Sequence, residues 1–280
     1  MRARDPHAIA RAARNRRHRD SPLNPSGRTF IVAADHPARG SLAIGGRRMA
    51  MADRADLLAR LRVALAHPGV TGVLAAADVV EDLLLLGALD DKTVFGTMNR
   101  GGLAGSSFEI DDRFTAYDAD GIAASGLDGG KMLLRIDVGD PATADTLEAC
   151  ARAVSELAAR RRLAMVEPFM STRVDGRVRN DLSPDAVIHA MSVAAGLGTT
   201  SAYTWLKVPA VADMARVVAA TTLPTLVLGG ELDDDSGAVY ERWQAALRMP
   251  TVRGLVAGRA LLYPPDGDVA GLVDRLARLC

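Results

Sequence analysis

The sequence predicts an α/β protein, a single (β/α)8 TIM barrel over residues 28–280 preceded by a basic arm at residues 1–27. Three observations predict it. From Arg28 onward, short β-prone runs alternate one for one with amphipathic stretches, the pattern of repeated βα units on a parallel sheet. A length of 280 residues suits a barrel of about 250 residues folded as one unit. No G-x-G-x-x-G follows the first run, which weakens the rival open sheet of the dinucleotide-binding kind.

The arm carries Arg2, Arg4, Arg11, Arg14, Arg16, Arg17 and Arg19, and closes at Pro22, Pro25 and Gly27. A short helix is expected at Ala8–Ala13. A solvated segment that closes the barrel floor or meets a second subunit is expected in preference to a nucleic-acid arm or a transit peptide. The first strand is read at Thr29–Ala34 and its helix at Arg54–Ala66; the second pair is Gly72–Ala76 and Val79–Leu86, the third Thr93–Thr97 and Arg113–Ala124. The fourth is Met132–Ile136 with Ala142–Arg160, its entry marked by Asp140 before Pro141. The fifth is Ala164–Pro168 with Pro184–Ala195, where Ser183 stands as the cap before a first-turn proline. Tyr203–Val208 with Val211–Ala220, Thr225–Leu228 with Gly237–Leu247, and Val252–Ala257 with Val269–Leu279 complete the eight units.

Composition narrows the class. Apolar residues make up 49% and charged residues 24%, enough for a full core in a soluble domain. Formal net charge is zero, so the total offers no electrostatic case for a nucleic-acid partner. Apolar runs such as Val79–Leu89 fall short of the roughly 20 residues that span a bilayer, and the N-terminus lacks an apolar signal region. Cys150 and Cys280 are the two cysteines, which suits a reducing, cytoplasmic setting and gives neither a disulfide framework nor a metal cluster. Neither a membrane partner nor a cofactor is expected. Of 34 basic residues only Lys92, Lys131 and Lys207 are lysine, so the placement of these three is informative.

In such a barrel the chemistry sits at the C-terminal strand ends. Side chains alternate along a strand, so Tyr203, Trp205 and Lys207 share one face. On the fourth strand Met132, Leu134 and Ile136 form an apolar outer face, which turns Lys131, Leu133 and Arg135 inward. Glu167 shares its face with Met165 and Phe169. Adjacent strands therefore aim Lys131, Arg135, Glu167 and Lys207 into one interior, where unpaired charge is costly. A polar layer in which Glu167 merely neutralises Lys131 is the plain alternative.

Lysine differs from arginine in that it can become a neutral amine and form an imine. A pKa near 10.4 leaves only about one part in a few thousand neutral at pH 7, and burial beside a second cation raises that share. Lys131 and Arg135 can supply the cation and Glu167 can carry protons. Asp35, at the end of the first strand, can orient a hydroxyl or act as a second proton carrier. His36, Asn99, Arg100, Arg135 and Trp205 are read as substrate contacts. Gly229, Gly230, Gly258 and Arg259 lie at adjacent loops where barrels commonly bind phosphate. The carboxylates of Glu231, Asp233, Asp234 and Asp235 follow at once and oppose an anion unless they face away. The glycine-rich run Met98–Ser106 is a candidate substrate loop. Arg173, Arg177 and Asn180 fall in the loop after strand five, in reach of a polar ligand or simply solvated.

Several runs resemble the class I aldolases that include deoxyribose-phosphate, tagatose-bisphosphate and archaeal-type fructose-bisphosphate aldolases. They are Ala33-Ala-Asp-His36 with Arg39-Gly-Ser41, Lys131-Met-Leu-Leu134, Val166-Glu-Pro168, Trp205-Leu-Lys207, Gly229-Gly230 and Val256-Ala-Gly-Arg259. Met98-Asn-Arg-Gly-Gly-Leu103, Phe108–Phe114 and Ala202–Lys207 are more similar still to an aldolase-like barrel family often encoded beside inositol-catabolism enzymes. The resemblance implies a Schiff base on Lys207, proton transfer by Glu167, support from Lys131, hydroxyl binding by Asp35, and phosphate on Gly230, Gly258 and Arg259. It implies a phosphorylated ketose or keto sugar acid, such as 6-phospho-5-dehydro-2-deoxygluconate cleaved to dihydroxyacetone phosphate and malonic semialdehyde, and a homo-oligomer. Where archaeal-type members carry a tyrosine after strand five, this chain has Glu167-Pro-Phe169, the tagatose-type pattern.

Three alternatives stay open at this level. A transaldolase- or thiolase-like lysine-imine enzyme would share Lys207 and differ in the acceptor. A barrel isomerase would use Glu167 as base without a covalent step. A silent barrel acting as a regulator would tolerate loss of Lys207.

Overall fold

The computed structural model describes residues 2–229 and 236–280. Eight parallel strands close into a ring: β1 (Thr29–Ala34), β2 (Gly72–Ala75), β3 (Thr93–Thr97), β4 (Gly129–Ile136), β5 (Leu163–Val174), β7 (Thr204–Pro209), β8 (Thr225–Leu228) and β9 (Val252–Ala257), with β9 returning to β1. The strand β6 (Arg177–Asn180) pairs antiparallel with the outer end of β5 and lies outside the ring. Helices α2 (Arg54–Ala66), α3 (Ala77–Leu85), α4 (Ala119–Ala124), α5 (Ala142–Ala159), α6 (Pro184–Ala195), α7 (Met214–Val218), α8 (Ser236–Leu247) and α10 (Val269–Ala277) follow the eight ring strands in turn. A 3-10 turn at His36–Arg39 follows β1, and the short α9 (Arg259–Leu262) follows β9. The predicted (β/α)8 barrel is the observed fold.

Side-chain alternation sorts the core into two layers. Phe30, Val32 and Ala34 of β1 pack between strands and helices, while Ile31 and Ala33 face inward with Leu74, Phe95, Met165, Trp205, Leu226 and Val256. Register orders the interior by height. Lys131 is level with Met165 and Met165 with Trp205, Leu133 is level with Glu167, and Arg135 is level with Phe169. The lower layers carry no charge, and charge begins at Lys131.

The arm packs along the flank and lower end of the barrel. Its helix α1 (His7–Asn15) packs on α3, and Arg2 Nη1 pairs with Asp82 Oδ1 at 2.7 Å. Arg16 is buried and donates to the Lys92 and Gly126 carbonyls at 2.8 and 2.7 Å, on the segments that enter β3 and β4. Leu23 packs beneath the inner layer, and Asn24 and Ser26 donate to the Cys280 carbonyl at 3.1 and 2.8 Å. Among the described residues no helix is long and apolar enough to cross a membrane.

The structure corrects four expectations. Strand four starts at Gly129, where β-propensity is low but space is short: a Cβ at Gly129 would meet the Leu163 carbonyl oxygen at 2.6 Å. The third helix starts at Ala119 instead of Arg113. The N–H groups of Ala116 and Tyr117 donate to the Met98 and Thr97 carbonyls at 3.0 and 3.2 Å, and Asp118 caps Gly121 at 2.6 Å. The sixth helix is shortened to Met214–Val218 because Asp213 turns left-handed at φ 51° and caps Arg216. The segment holding Arg173, Arg177 and Asn180 is a hairpin and not a loop. Its two-residue turn, Asp175-Gly176, has φ of 50° and 75°, the left-handed pair that matches strand twist.

Candidate active site

The barrel's C-terminal mouth opens into a cavity of about 740 Å³, within the size range of small-molecule sites. Asp35, His36, Arg100, Lys131, Arg135, Glu167 and Lys207 all line it, as do Gly229, Gly258 and Arg259. Two expected contacts do not. Trp205 is buried in the inner apolar layer. Asn99 is fully buried, and both ends of its amide bond the backbone of Leu133: Nδ2 donates to the carbonyl at 2.5 Å and Oδ1 accepts from the N–H at 2.7 Å. Gly230 and the acidic run Glu231–Asp235 lie outside the described residues.

One chain of charges runs across the cavity floor. Lys207 Nζ donates to Glu167 Oε1 at 2.7 Å. The other oxygen of Glu167 pairs with Lys131, which also reaches Asp35 Oδ2 at 3.4 Å. Asp35 in turn pairs with Arg100 at 2.9 Å and accepts from Thr97 Oγ1 at 3.2 Å. Every one of these charged groups is buried and every one has an opposite partner, so the cluster avoids an uncompensated interior charge.

Desolvation and neighbouring charge set the protonation of the chain. Burial alone would raise the Glu167 carboxyl, but Lys131 and then Lys207 outweigh it and hold it at about 2. Asp35 is likewise held well below the carboxylate range, burial being overcome by Arg100 and Lys131. Lys131 is pushed down to about 8, by burial first and by Arg100 second. The His36 imidazole is pushed down to about 3 by burial, against the pull of Asp35 and with Arg259 adding to the shift, and is neutral at physiological pH. Its Nδ1 stands 3.9 Å from Asp35 Oδ1, and its ring packs over Gly258, where a Cβ would meet His36 Cε1 at 2.7 Å.

The remaining candidates hold the walls. Arg135 Nε and Nη2 bond Asp112 Oδ2 and Oδ1 at 2.9 and 2.6 Å, a forked pair that pins the loop between β3 and α4 over the cavity. The Gly229 N–H donates to the Val256 carbonyl at 2.8 Å, so a bound anion would not receive that donor. Arg39 and Glu109 also line the cavity, although sequence reasoning gave neither a role. Both lie inside runs that carried the family resemblance, but only the fold shows them meeting. Among the described residues the lining carries eight cationic side chains and three carboxylates, in a chain of zero formal net charge. Cationic side chains thus outnumber carboxylates along the lining, a balance that favours an anion over a cation.

A family model described as Cgl0159-like matches residues 27–277. The crystal structure of Cgl0159 from Corynebacterium glutamicum (Brevibacterium flavum) is 54% identical, covers 100% of this chain and 94% of that one, and superposes with a TM-score of 0.97. An archaeal fructose 1,6-bisphosphate aldolase is similar at TM-score 0.68 and 17% identity, covering 97% of this chain and 98% of that one. A Schiff-base-forming fructose-1,6-bisphosphate aldolase is similar at 0.69 and 18%, covering 97% and 99%. At that identity the likeness is one of fold. Two Streptomyces griseus relatives, 2-amino-4,5-dihydroxy-6-oxo-7-(phosphonooxy)heptanoate synthases, are 33% identical over 103 residues. That match takes in 37% of this chain and 36% of theirs, about a third of the length of these curated relatives.

Proposed function

The chain belongs to the Cgl0159-like family, and we propose that it is a metal-independent class I aldolase whose Lys207 forms a Schiff base with a phosphorylated ketose or keto sugar acid. The observation that carries this reading is the run Lys207–Glu167–Lys131 on the floor of a cationic cavity.

Imine formation begins when Lys207 gives up a proton along its 2.7 Å hydrogen bond to Glu167. As positive charge leaves Lys207, Glu167 loses part of what depresses its pKa, so its affinity for the proton rises at that step. The neutral amine attacks the substrate carbonyl and forms a carbinolamine. Proton return to the departing hydroxyl releases water and leaves the iminium. The iminium then draws the electrons of the scissile C–C bond as a base takes the proton of the β-hydroxyl. An aldehyde departs and an enamine remains, which is protonated on carbon and hydrolysed to free Lys207. Lys131, pushed down to about 8, exchanges protons near neutrality, which suits it to reload and unload Glu167. Asp35, ionised and buried beside it, is placed to hold a substrate hydroxyl.

The name of the Streptomyces griseus relatives describes a product with an oxo group beside a phosphorylated carbon, which agrees with a phosphorylated carbonyl substrate. In the finest form of this reading the substrate is 6-phospho-5-dehydro-2-deoxygluconate, in inositol catabolism, and the enzyme is a cytoplasmic homo-oligomer with no nucleic-acid or membrane partner. That form rests on the resemblance of sequence runs. The test is sodium borohydride reduction in the presence of dihydroxyacetone phosphate or of unphosphorylated dihydroxyacetone, followed by peptide mapping. An adduct on Lys207, stronger with the phosphorylated compound, is the expected result. Equal adducts would remove the phosphate from the reading. No adduct with either compound or with other carbonyl substrates would favour a non-covalent isomerase.

A further inference from the structure

Cleavage needs a base for the β-hydroxyl proton. Besides the lysines of the charge chain, the described lining offers three carboxylates and the His36 imidazole. The carboxylates are engaged. Both oxygens of Glu167 lie on lysines, Oε1 with Lys207 and Oε2 with Lys131. Glu109 accepts from the Gly105 N–H at 3.0 Å and faces Arg135 at 3.5 Å. Asp35 gathers its close partners on one oxygen, Oδ2: Arg100 at 2.9 Å, Thr97 Oγ1 at 3.2 Å and Lys131 at 3.4 Å. Phe169, which follows Glu167 on the inner face of β5, has no proton to carry.

His36 differs from all of these. Its Nδ1 is enclosed, makes no hydrogen bond among the described residues, and stands 3.9 Å from Asp35 Oδ1, the oxygen left over by Arg100, Thr97 and Lys131. A ring shift of about 1 Å brings that pair within hydrogen-bond reach. The side chain is 25% exposed and borders the cavity. With Nδ1 enclosed, the polar atom on the open edge of the ring is Nε2. Gly258 makes room for this placement, since a Cβ there would meet His36 Cε1 at 2.7 Å. A carboxylate that accepts from Nδ1–H fixes the ring tautomer and leaves the Nε2 lone pair to act as base.

We propose that Asp35 and His36 form a dyad in which Asp35 Oδ1 holds the Nδ1–H tautomer and His36 Nε2 takes the β-hydroxyl proton. The role rests on the aldolase reading. In the cleavage step the O–H electron pair forms the new carbonyl, and the proton bonds to Nε2. The scissile C–C pair moves into the iminium on Lys207 and leaves the enamine. The imidazolium gives its Nδ1–H to Asp35 and later loses the extra proton to water at the open mouth. In the free enzyme burial, helped by Arg259, Lys207 and Arg100 against the pull of Asp35, keeps the ring neutral. The base is therefore free of a proton when substrate arrives, and an anionic substrate offsets those cations and strengthens it.

NMR of the full chain labelled with nitrogen-15 histidine reads the tautomer, His36 being identified by the resonance lost in His36→Gln. A neutral ring protonated on Nδ1 is expected, and a ring protonated on Nε2 overturns the dyad. Asp35→Asn should move the proton to Nε2, and a tautomer indifferent to that change also overturns the pairing. His36→Gln keeps a polar side chain that cannot take a proton. It should retain the borohydride adduct of dihydroxyacetone phosphate on Lys207 and the exchange of that compound's α-proton with solvent. Its kcat for cleavage of 6-phospho-5-dehydro-2-deoxygluconate should fall about 10²–10⁴-fold, with KM within about threefold. Unaltered cleavage, or cleavage and exchange lost in equal measure, would overturn the assignment of the β-hydroxyl proton to His36. Absence of any adduct in the wild type removes the aldolase reading and leaves the tautomer result standing. If the wild type traps the triose phosphate but leaves the sugar acid intact, that substrate falls and the tautomer decides the dyad.

Discussion

Lys131 is rooted two residues lower in the barrel than the level of Lys207, yet both ammonium groups close on the same carboxylate, Glu167. The two lysines are therefore inequivalent by height, with Lys207 the nearer to the cavity mouth. Lys207→Met should abolish the borohydride adduct, whereas Lys131→Met should keep it on Lys207 and slow turnover by about 10²–10⁴-fold, the usual range for losing a proton carrier. Mass mapping of both variants decides it; an adduct on Lys131 in the wild type would reverse the assignment.

The depressed carboxyl of Glu167 ties stability to acid. A group held at about 2 against an ordinary 4.5 contributes stability that is complete above about pH 5 and is lost as pH falls toward 2. Denaturant midpoints of the wild type should drop across that window. The gap between wild type and Glu167→Gln should narrow over the same range, and a pH-independent gap would contradict the linkage.

Asn99 bonds both backbone groups of Leu133 without lining the cavity. Asn99→Ala removes two hydrogen bonds and leaves buried partners unmet, for an expected loss of about 2–4 kcal/mol in unfolding free energy. Phosphate affinity should stay within about twofold. A change in ligand affinity with unchanged stability would restore it to the list of substrate contacts.

Gly258 gives way to His36. Gly258→Ala would place a methyl 2.7 Å from His36 Cε1 and 3.1 Å from the Ala33 carbonyl oxygen. A cost of about 1–3 kcal/mol is expected, with the His36 ring displaced. Thermal melting and the imidazole resonances in NMR measure the two effects, and an unmoved ring would count against this packing.

Arg16→Met tests the arm. The variant loses donors to the Lys92 and Gly126 carbonyls, so residues 1–15 should become sensitive to trypsin under native conditions and the melting temperature should fall. Unaltered proteolysis would show that α1 is held by its packing on α3 alone.

Much of this was legible from pattern alone. Alternation identified the inward set on β4, β5 and β7, because an apolar outer face at Met132, Leu134 and Ile136 leaves Lys131 and Arg135 only one direction. What escaped was decided by tertiary competition for backbone groups. Residues 113–118 fit a helical pattern in sequence, yet the N–H groups of Ala116 and Tyr117 are drawn to Met98 and Thr97 at the end of β3. Arg135 reads as a free cation in sequence and proves to be forked onto Asp112, a residue 23 positions away. Arg39 and Glu109 carried no spacing signal, since they lie on separate segments that only the fold brings together. The Asp175-Gly176 turn was readable as a hairpin signal.

The hairpin built on that turn separates two properties of the protein that share one cavity. Val178, Arg179, Asn180 and Leu182 border the ligand space, yet β6 pairs only with the projecting end of β5 and adds nothing to the closed ladder. Lys131, Glu167 and Lys207 are anchored in the ring itself. Residues 170–182 thus form an exchangeable rim. Grafting this segment between relatives, or varying its four bordering side chains in a library, would retune which compounds are accepted while the scaffold and its charge relay stay in place.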